Sequence, residues 1–289
     1  MIYKFLHIAS GIVFKYFLHP NSRYLKIKRI INILEIEHQN NIQVKKRNTQ
    51  NLNFFNGIYQ RIYMDIKNEK LERIGSNSDG GYSTGLIQTS KNIKFISIGV
   101  GNDVSWESNL SSRGASGTQW DHTVEHSPEN LSHRAVAFFR IGLNTRINSA
   151  NSTNYHSLEQ MYKLTKFSDD DYKLLKIDIE GNEWEPLSEA GITGCLQRFD
   201  QIIIEVHNLI EFKQKKQEKI IKTLDNLLVH HKVIHVHPNN TSFYLDVYGK
   251  TIHNVVELTL LNQRHLTQKN HLYKKIEYPS DTNKIDYHL

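Results

Sequence analysis

Beyond about residue 70, short apolar runs alternate along the chain with helix-like or loop segments. Several apolar runs, such as FISIGV and IIIEV, are hydrophobic at consecutive positions. Consecutive apolar positions are typical of parallel strands that helices cover on both faces. The pattern predicts seven strands, at Ile93–Val100, Gly117–His122, Arg134–Ile141, Tyr172–Ile179, Gln201–Val206, Lys232–His237 and Val255–Leu260.

Segments of helical character lie between these strands. Strands that alternate with helices favour an α/β fold, in which one sheet is sandwiched between two helical layers. We therefore predict a doubly wound, seven-stranded sheet. The helices are expected at Ser105–Arg113, Ser157–Lys166, Glu185–Ala190 and Ile210–His230.

The first 65 residues differ from the rest because they contain no strand-like run. Helical periodicity is present at Arg29–Glu37 and Phe54–Met64, and the polar stretch Gln39–Asn53 between them is typical of a linker. We predict a helical N-terminal extension over residues 1–65 and an α/β domain over residues 66–289.

The N-terminal 18 residues are apolar on one helical face, but lysine and histidine side chains interrupt them. The uninterrupted apolar stretch is too short to span a bilayer, and no small-residue cleavage site follows it. The pattern favours an amphipathic helix that docks on the protein itself or lies at a membrane surface. We expect a cytoplasmic protein, with residues 1–18 as the candidate for peripheral membrane contact.

Composition and charge restrict the function classes. The 289-residue chain is 38% hydrophobic and 23% charged, which excludes wholesale disorder, and its single cysteine, Cys195, excludes an internal disulfide. The net charge of +6 is distributed over short basic clusters that lack an aromatic-rich RNA signature. We expect no specific nucleic-acid partner. A non-catalytic basic module that binds membrane or nucleic acid is kept as an alternative.

The segment FISIGVGNDVSWESNL has the pattern of a strand, a glycine turn and a helix. Gly99 and Gly101 allow a tight turn close to a ligand, and the helix N-terminus offers N–H groups to an anion. Asp121 follows Gly101 by 20 residues, where an acid typically binds ribose hydroxyls. These features indicate an adenosine-containing cofactor, either NAD or S-adenosylmethionine. Val104 occupies the third glycine position of the dinucleotide fingerprint, which disfavours NAD.

Ionisable side chains follow three of the predicted strands at their carboxyl ends. The segment LLKIDIEGNEW supplies Asp178 and Glu180, IIIEVHN supplies Glu205 and His207, and VIHVHPNN supplies His237. Ligands of parallel sheets bind outside the carboxyl ends of the strands. Clustered carboxylates and imidazoles shift one another's pKa, as general acid–base chemistry requires. The spacing matches no tight metal-ligand signature, so we expect no metal.

The upstream segment RIGSNSDGGYSTG contains the turn signal Asp79-Gly-Gly. The simplest prediction is a hairpin. The alternative is a flap over the pocket that brings Asp79 or Tyr82 near the ligand.

Several segments, in this order and spacing, resemble the FkbM-like methyltransferases of the class I S-adenosylmethionine-dependent group. They are RIGSNSDGGY, ISIGVGNDVSWE, LLKIDIEGNEW, IIIEVHNL and HVHPNN followed by NVVELT, over roughly residues 70–265. The resemblance implies a Rossmann-like seven-stranded sheet whose last strand, Val255–Leu260, runs antiparallel.

The same resemblance implies S-adenosylmethionine as the cofactor. Gly99 and Gly101 would lie beside its methionine part, Asp121 would bind the ribose, and Asp178 would lie where the methyl group leaves. This chain departs from the pattern of these folds in two places: Ser97 replaces a frequent acid, and Asp103 occupies the usual third glycine position, from which it could itself contact the cofactor.

We therefore expect an O-methyltransferase that acts on a sugar or another small polyhydroxyl acceptor, with N-methylation left open and a NAD-dependent oxidoreductase as the alternative. The candidate catalytic residues are Asp178, His207 and Glu205, and Asp178 or His207 would take the hydroxyl proton. The candidate acceptor contacts are Asp79, Tyr82, Glu180, His237 and Asn239.

Overall fold

The structure is a computed structural model that describes residues 41–67, 69–77, 80–87, 89–129, 131, 135–145 and 153–266. The predicted helix at Arg29–Glu37, the apolar segment 1–18 and Asp79 lie outside these residues. In the described part of the chain, no helix is long and apolar enough to cross a membrane.

Strands and helices alternate along the described chain. The helices are α1 (Asn41–Ile62), α2 (Ser105–Ser112), α3 (Leu158–Thr165), α4 (Trp184–Ile192) and α5 (Gln214–Leu228). The strands are β1 (Leu71–Ile74), β2 (Tyr82–Gly85), β3 (Ile93–Ile98), β4 (Ser116–Trp120), β5 (Val136–Phe139), β6 (Gly142–Leu143), β7 (Tyr155–His156), β8 (Tyr172–Ile177), β9 (Gln201–Val206), β10 (His231–Pro238), β11 (Tyr244–Val247), β12 (Lys250–His253) and β13 (Val256–Asn262).

Seven strands form the central sheet, in the order β10-β13-β9-β8-β3-β4-β5. The pairs from β9 through β5 are parallel, whereas β13 runs antiparallel to both of its neighbours. This sheet confirms the predicted Rossmann-like fold and its antiparallel last strand. The direction of winding reverses between β3 and β8, so their carboxyl ends form the crevice in which ligands of such sheets bind.

The seven predicted strands agree with the observed sheet strands to within two residues at each end. The prediction succeeds because these strands are buried along their length, as β8 and β9 show. The short pairs β6–β7 and β11–β12 were not predicted, since they lack a long apolar run.

The predicted polar linker at Gln39–Asn53 is wrong, because α1 is continuous from Asn41 to Ile62. Polar residues of this helix take part in tertiary contacts. Asn51 is buried and accepts a hydrogen bond from Gln217 of α5 at 2.8 Å. Tertiary contacts of this kind stabilise a helix whose sequence alone reads as a linker.

Helix α1 packs into the same core as the sheet. Phe54, Phe55 and Ile58 are buried in the main hydrophobic cluster, and Arg61 forms an ion pair with Asp225 of α5 at 2.7 Å. The predicted domain boundary at residue 65 therefore follows a helix that shares the core of the α/β domain. The arrangement of residues 1–40 lies outside the described chain, so the division itself stays a prediction.

The strands before and after Asp79 form a hairpin, as the simpler prediction states. Strands β1 and β2 pair antiparallel, with Ile74 opposite Tyr82. Gln201 of β9 fixes the hairpin on the sheet, since its side-chain amide bonds both the N–H and the carbonyl of Gly85 at 3.0 Å. The hairpin thereby carries Tyr82 to the carboxyl edge of the sheet.

The contribution of α1 to the core can be measured by chemical denaturation. Ile58→Ala removes a side chain that is 0% exposed, and we expect a loss of about 2–4 kcal/mol in the free energy of unfolding. Asn53→Ala, at an exposed position of the same helix, serves as the control and should change it by less than about 0.5 kcal/mol. Equal effects of the two substitutions would show that α1 does not belong to the cooperative core.

Candidate active site

A cavity of about 630 Å³ opens at the carboxyl ends of β3, β4 and β8. Its walls come from the glycine turn after β3, from the residues that follow β4 and β8, and from the β1–β2 hairpin. The sequence-predicted residues that line it are Gly99, Gly101, Asp103, Asp121, Tyr82, Asp178 and Glu180.

The glycine turn forms the floor of the cavity. Gly99 has φ 77°, and a Cβ on it would lie 1.7 Å from the carbonyl oxygen of Asp178, so only glycine allows the two segments to approach this closely. Gly101 has φ 51°, and a Cβ there would meet no atom within 4 Å. The turn is therefore in close contact with the end of β8 on one side and open on the other.

Asp121 is fixed by three hydrogen bonds at one end of the cavity. Gly101 N donates to Oδ2 at 3.0 Å, and Thr123 donates to Oδ1 through its backbone at 2.7 Å and its hydroxyl at 2.6 Å. Burial alone would raise the pKa of this carboxyl, but the bonds from Thr123 and Gly101 outweigh it and lower the pKa. A charged carboxylate with a remaining lone pair on Oδ2 can accept a hydrogen bond from a ligand hydroxyl.

Aromatic and apolar side chains lie next to Asp121. Trp120 is fully buried, stacks on Phe139 at 4.2 Å between ring centroids, and lines the cavity together with Leu143 and Tyr155. A planar apolar ring of a ligand fits beside such a wall, with its hydroxyls on the neighbouring carboxylate.

Asp103, at the position of the expected third glycine, supports the start of α2. Its Oδ1 accepts a hydrogen bond from Ser105 N at 2.7 Å. The carboxylate also lies against the hairpin, since a Cβ on Gly80 would approach it to 2.3 Å. Asp103 thus links the hairpin to the helix that follows the glycine turn, and it lines the cavity.

Asp178 follows β8, on the other side of β3 from Asp121, and Tyr82 orients it. The Tyr82 hydroxyl donates to Asp178 Oδ2 at 2.9 Å, while Oδ1 has no hydrogen-bond partner among the described residues. Burial, followed by the charges of Asp178, Glu205 and Glu257, raises the pKa of Tyr82 well above its ordinary value. Tyr82 therefore stays protonated and acts as a donor to Oδ2, while Oδ1 of Asp178 is buried.

His207 lies behind this site, within a group of carboxylates. Its Nε2 is 3.1 Å from Glu205 Oε1 and 3.5 Å from Glu180 Oε2, and its Nδ1 is 3.5 Å from Glu183 Oε1. Burial alone would lower the pKa of the imidazole, but Glu183 and Glu205 outweigh it and raise the pKa to about 10. His207 is therefore a cation at neutral pH.

Glu183 holds the two segments of this group together. Its Oε1 accepts from His207 N at 2.6 Å, and its Oε2 accepts from Gly181 N at 2.9 Å. Glu180 and Asn208 have left-handed backbone, with φ 55° and 60°. Such backbone is uncommon outside glycine and clusters at functional sites.

Asp178, Glu180 and His207 each offer a metal-ligand atom, and these atoms lie within 4.8 Å of one another. A metal would have to displace the proton that Glu183 and Glu205 stabilise on His207, since only a neutral imidazole ligates a cation. The expectation of no metal stays a prediction.

Four of the sequence-predicted residues do not line the cavity. Glu205 accepts a hydrogen bond from Asn239 at 3.2 Å, and Asn239 in turn accepts from Thr241, so these side chains bond to other protein groups. His237 is 2% exposed and stacks on His235. The predicted acceptor contacts of His237 and Asn239 and the predicted catalytic roles of Glu205 and His207 stay untested. His207 does not line the cavity, but its Nε2 lies 3.5 Å from Glu180, which does.

The sequence reasoning missed Lys176 and Glu107. Lys176 lies on β8 two residues before Asp178, so both side chains point to the same side of the sheet. It lines the cavity and pairs with Glu107 of α2 at 3.3 Å. The signal was present as a lysine within the apolar run LLKID, which needs a buried partner.

One protein-family model matches the chain: the model described as "Methyltransferase FkbM domain" covers residues 13–232, most of the 289-residue chain. The chain belongs to the FkbM methyltransferase family. The match begins well before residue 70, where the sequence resemblance was expected to start. No curated protein matches the chain.

Membership of the FkbM methyltransferase family assigns methyl transfer, in general terms, to this chain. The family match extends through α1, which agrees with the packing of this helix in the common core. A methyltransferase is thus favoured over the oxidoreductase that the glycine turn alone left open.

The charge on His207 makes the stability of this FkbM methyltransferase depend on pH. The pKa of His207 is raised from 6.5 to about 10. The contribution of the protonated imidazole to the free energy of unfolding is therefore fully present below about pH 6.5 and is lost as the pH rises through 10. The free energy of unfolding of the wild type should fall by roughly 1–3 kcal/mol more than that of His207→Gln between pH 7 and 10. Urea denaturation at a series of pH values measures this difference.

The matched control is His230→Gln, at an exposed histidine. Its pH profile should run parallel to that of the wild type. A parallel profile for His207→Gln as well would show that the pairing of His207 with its carboxylates does not contribute to stability.

Proposed function

We propose that this chain transfers the methyl group of S-adenosylmethionine to a hydroxyl oxygen of a sugar or another small polyhydroxyl acceptor. The observation that carries the proposal is that Asp121 and Asp178 line one cavity together with Gly99 and Gly101, and that they follow the two strands that flank β3 in the sheet. The family supports methyl transfer in general. The cofactor, the acceptor and the roles of individual residues are our inference.

The residues present fit the cofactor. Asp121 can accept the ribose hydroxyls, the wall formed by Trp120, Leu143 and Tyr155 suits the adenine ring, and the open side of Gly101 admits a ligand close to the backbone. When bound, S-adenosylmethionine supplies a methyl group activated by a positively charged sulfonium. The carboxylate of Asp178 provides a complementary charge at the other end of the cavity.

Asp178 is the proposed general base. Its Oδ1 is buried and has no partner among the described residues, and Tyr82 holds Oδ2. Oδ1 is therefore our candidate for the atom that accepts the proton of the acceptor hydroxyl. His207 is less suited to this role because its raised pKa keeps it protonated at neutral pH. The imidazolium instead balances the negative charge of Glu180, Glu183 and Glu205 behind the site.

The mouth of the cavity suits a polar acceptor. The Glu180 side chain is 85% exposed, and the cavity lining also includes Asn144, Asn182 and His122. Carboxylate and amide groups can accept and donate hydrogen bonds to several hydroxyls at once. Alignment of an acceptor oxygen by such contacts is the main contribution an enzyme makes when the methyl group is already activated.

Calorimetry with S-adenosylmethionine tests the cofactor assignment. We expect micromolar binding to the wild type, on the order of −8 kcal/mol, and roughly 100-fold weaker binding to Asp121→Ala. Asp170→Ala, which removes an exposed acid outside the cavity, is the control and should bind as the wild type does. Binding of NADH without binding of S-adenosylmethionine or S-adenosylhomocysteine would refute the assignment.

Methyl-transfer assays on a panel of sugars test the role of Asp178. Asp178→Asn should lower kcat by about 10²- to 10⁴-fold, because the amide cannot take the proton, while cofactor affinity changes by less than about tenfold. Tyr82→Phe should lower kcat by about tenfold through loss of the hydrogen bond that orients Asp178.

Mass spectrometry of the product distinguishes the acceptor classes in the same assay. A methyl ether on a sugar is the expected product. Methylated amines only, or full activity of Asp178→Asn, would contradict the proposal. Membrane or RNA binding with no affinity for the cofactor would instead favour the non-catalytic alternative.

A further inference from the structure

We propose that the buried Lys176–Glu107 pair is the subsite for the α-amino-acid end of the cofactor, with Lys176 binding the carboxylate and Glu107 the ammonium. This inference rests on the proposed function, because it concerns the same cavity. It assigns a role to two residues that neither the glycine turn nor the strand-end acids explain.

The two charges are withdrawn from solvent. The Lys176 and Glu107 side chains are 2% and 0% exposed, and Lys176 Nζ lies 3.3 Å from Glu107 Oε1. Ser97, which is in register with Lys176 across β3 and β8, donates a further hydrogen bond to the same oxygen of Glu107. Lys176 lines the cavity, whereas Glu107 contacts Lys176 from α2 and is not itself one of the lining residues.

The hydrogen bonding of this pair is incomplete among the described residues. Lys176 has three N–H donors, but Glu107 is its one hydrogen-bond acceptor; its Nζ otherwise lies 4.7 Å from the centre of the Tyr82 ring. Glu107 Oε2 is buried and has no hydrogen-bond partner there. A buried ion pair stabilises a protein only when its remaining donors and acceptors are satisfied. An amino-acid zwitterion would supply both missing partners.

The position of the Lys176–Glu107 pair agrees with the proposed position of the cofactor's nucleoside end at Asp121. Asp121 follows β4, whereas Lys176 is on β8, and β3 lies between them. Two interstrand spacings separate these strands, which corresponds to about 10 Å. A ligand with its ribose on Asp121 therefore extends across the Gly99 turn toward β8. Its amino-acid end then reaches the side of the cavity that Lys176, Tyr82 and Gly80 line.

Two nucleosides that differ only at this end provide the test. S-adenosylhomocysteine carries the amino acid, whereas 5′-methylthioadenosine has the same nucleoside and thioether without it. Measured by calorimetry, Lys176→Met should weaken the binding of S-adenosylhomocysteine by about tenfold to a hundredfold. It should weaken the binding of 5′-methylthioadenosine by less than about threefold. Glu107→Gln should show the same selectivity with a smaller loss, because the amide still accepts a hydrogen bond.

The matched control is Lys173→Met, which removes a buried lysine of the same strand that contacts the carbonyls of Asp169 and Asp171 outside the cavity. It should leave both affinities unchanged. If Lys176→Met weakened the binding of both nucleosides equally, or of neither, the assignment of the subsite would be overturned.

A measurement on the wild type covers the case in which Lys176→Met does not fold. The carboxamide analogue of S-adenosylhomocysteine, which lacks the negative charge, should bind at least about tenfold more weakly than S-adenosylhomocysteine. Equal affinities would overturn the subsite while leaving the proposed function intact. Failure of the wild type to bind any of these nucleosides would overturn the proposed function and the subsite with it.

Discussion

The close approach of Gly99 to the end of β8 is the constraint on which the rest of the site depends. Only a residue without a Cβ can place the turn after β3 against the carbonyl of Asp178. That contact brings the carboxyl ends of β3 and β8 together at the point where the winding of the sheet reverses. It also sets Asp178 and the N–H of Gly101, which binds Asp121, on two sides of one cavity. The cavity is thus a consequence of sheet topology and of one glycine.

Charge balance is the second requirement of the site, because several carboxylates are buried near one another. His207 compensates for Glu183 and Glu205, Lys176 compensates for Glu107, and the Tyr82 hydroxyl donates to Asp178. Each of these donors is itself buried, so each pair is shielded from solvent. At the place where a proton would be accepted, Oδ1 of Asp178 has no partner among the described residues.

The sheet and the acids at its edge were predictable, because apolar runs that end in Asp121 or Asp178 place these side chains at one edge of a parallel sheet. The partners of these residues were not, since Lys176 and Glu107, or His207 and Glu183, belong to different elements and meet only in the fold. The raised pKa of His207 follows from those contacts and is not readable from the sequence, and its role as a base stays a prediction. The first half of the helix over residues 41–62 was missed for the same reason: its polar stretch is helical because α5 packs against it.

A crystal structure of the protein with S-adenosylhomocysteine tests the central claim most directly. The account predicts the ribose hydroxyls within about 2.6–3.2 Å of the Asp121 carboxylate and the sulfur on the Asp178 side of the Gly99–Gly101 turn. Density for the ligand at another surface, or in this cavity with the ribose away from Asp121, would contradict it.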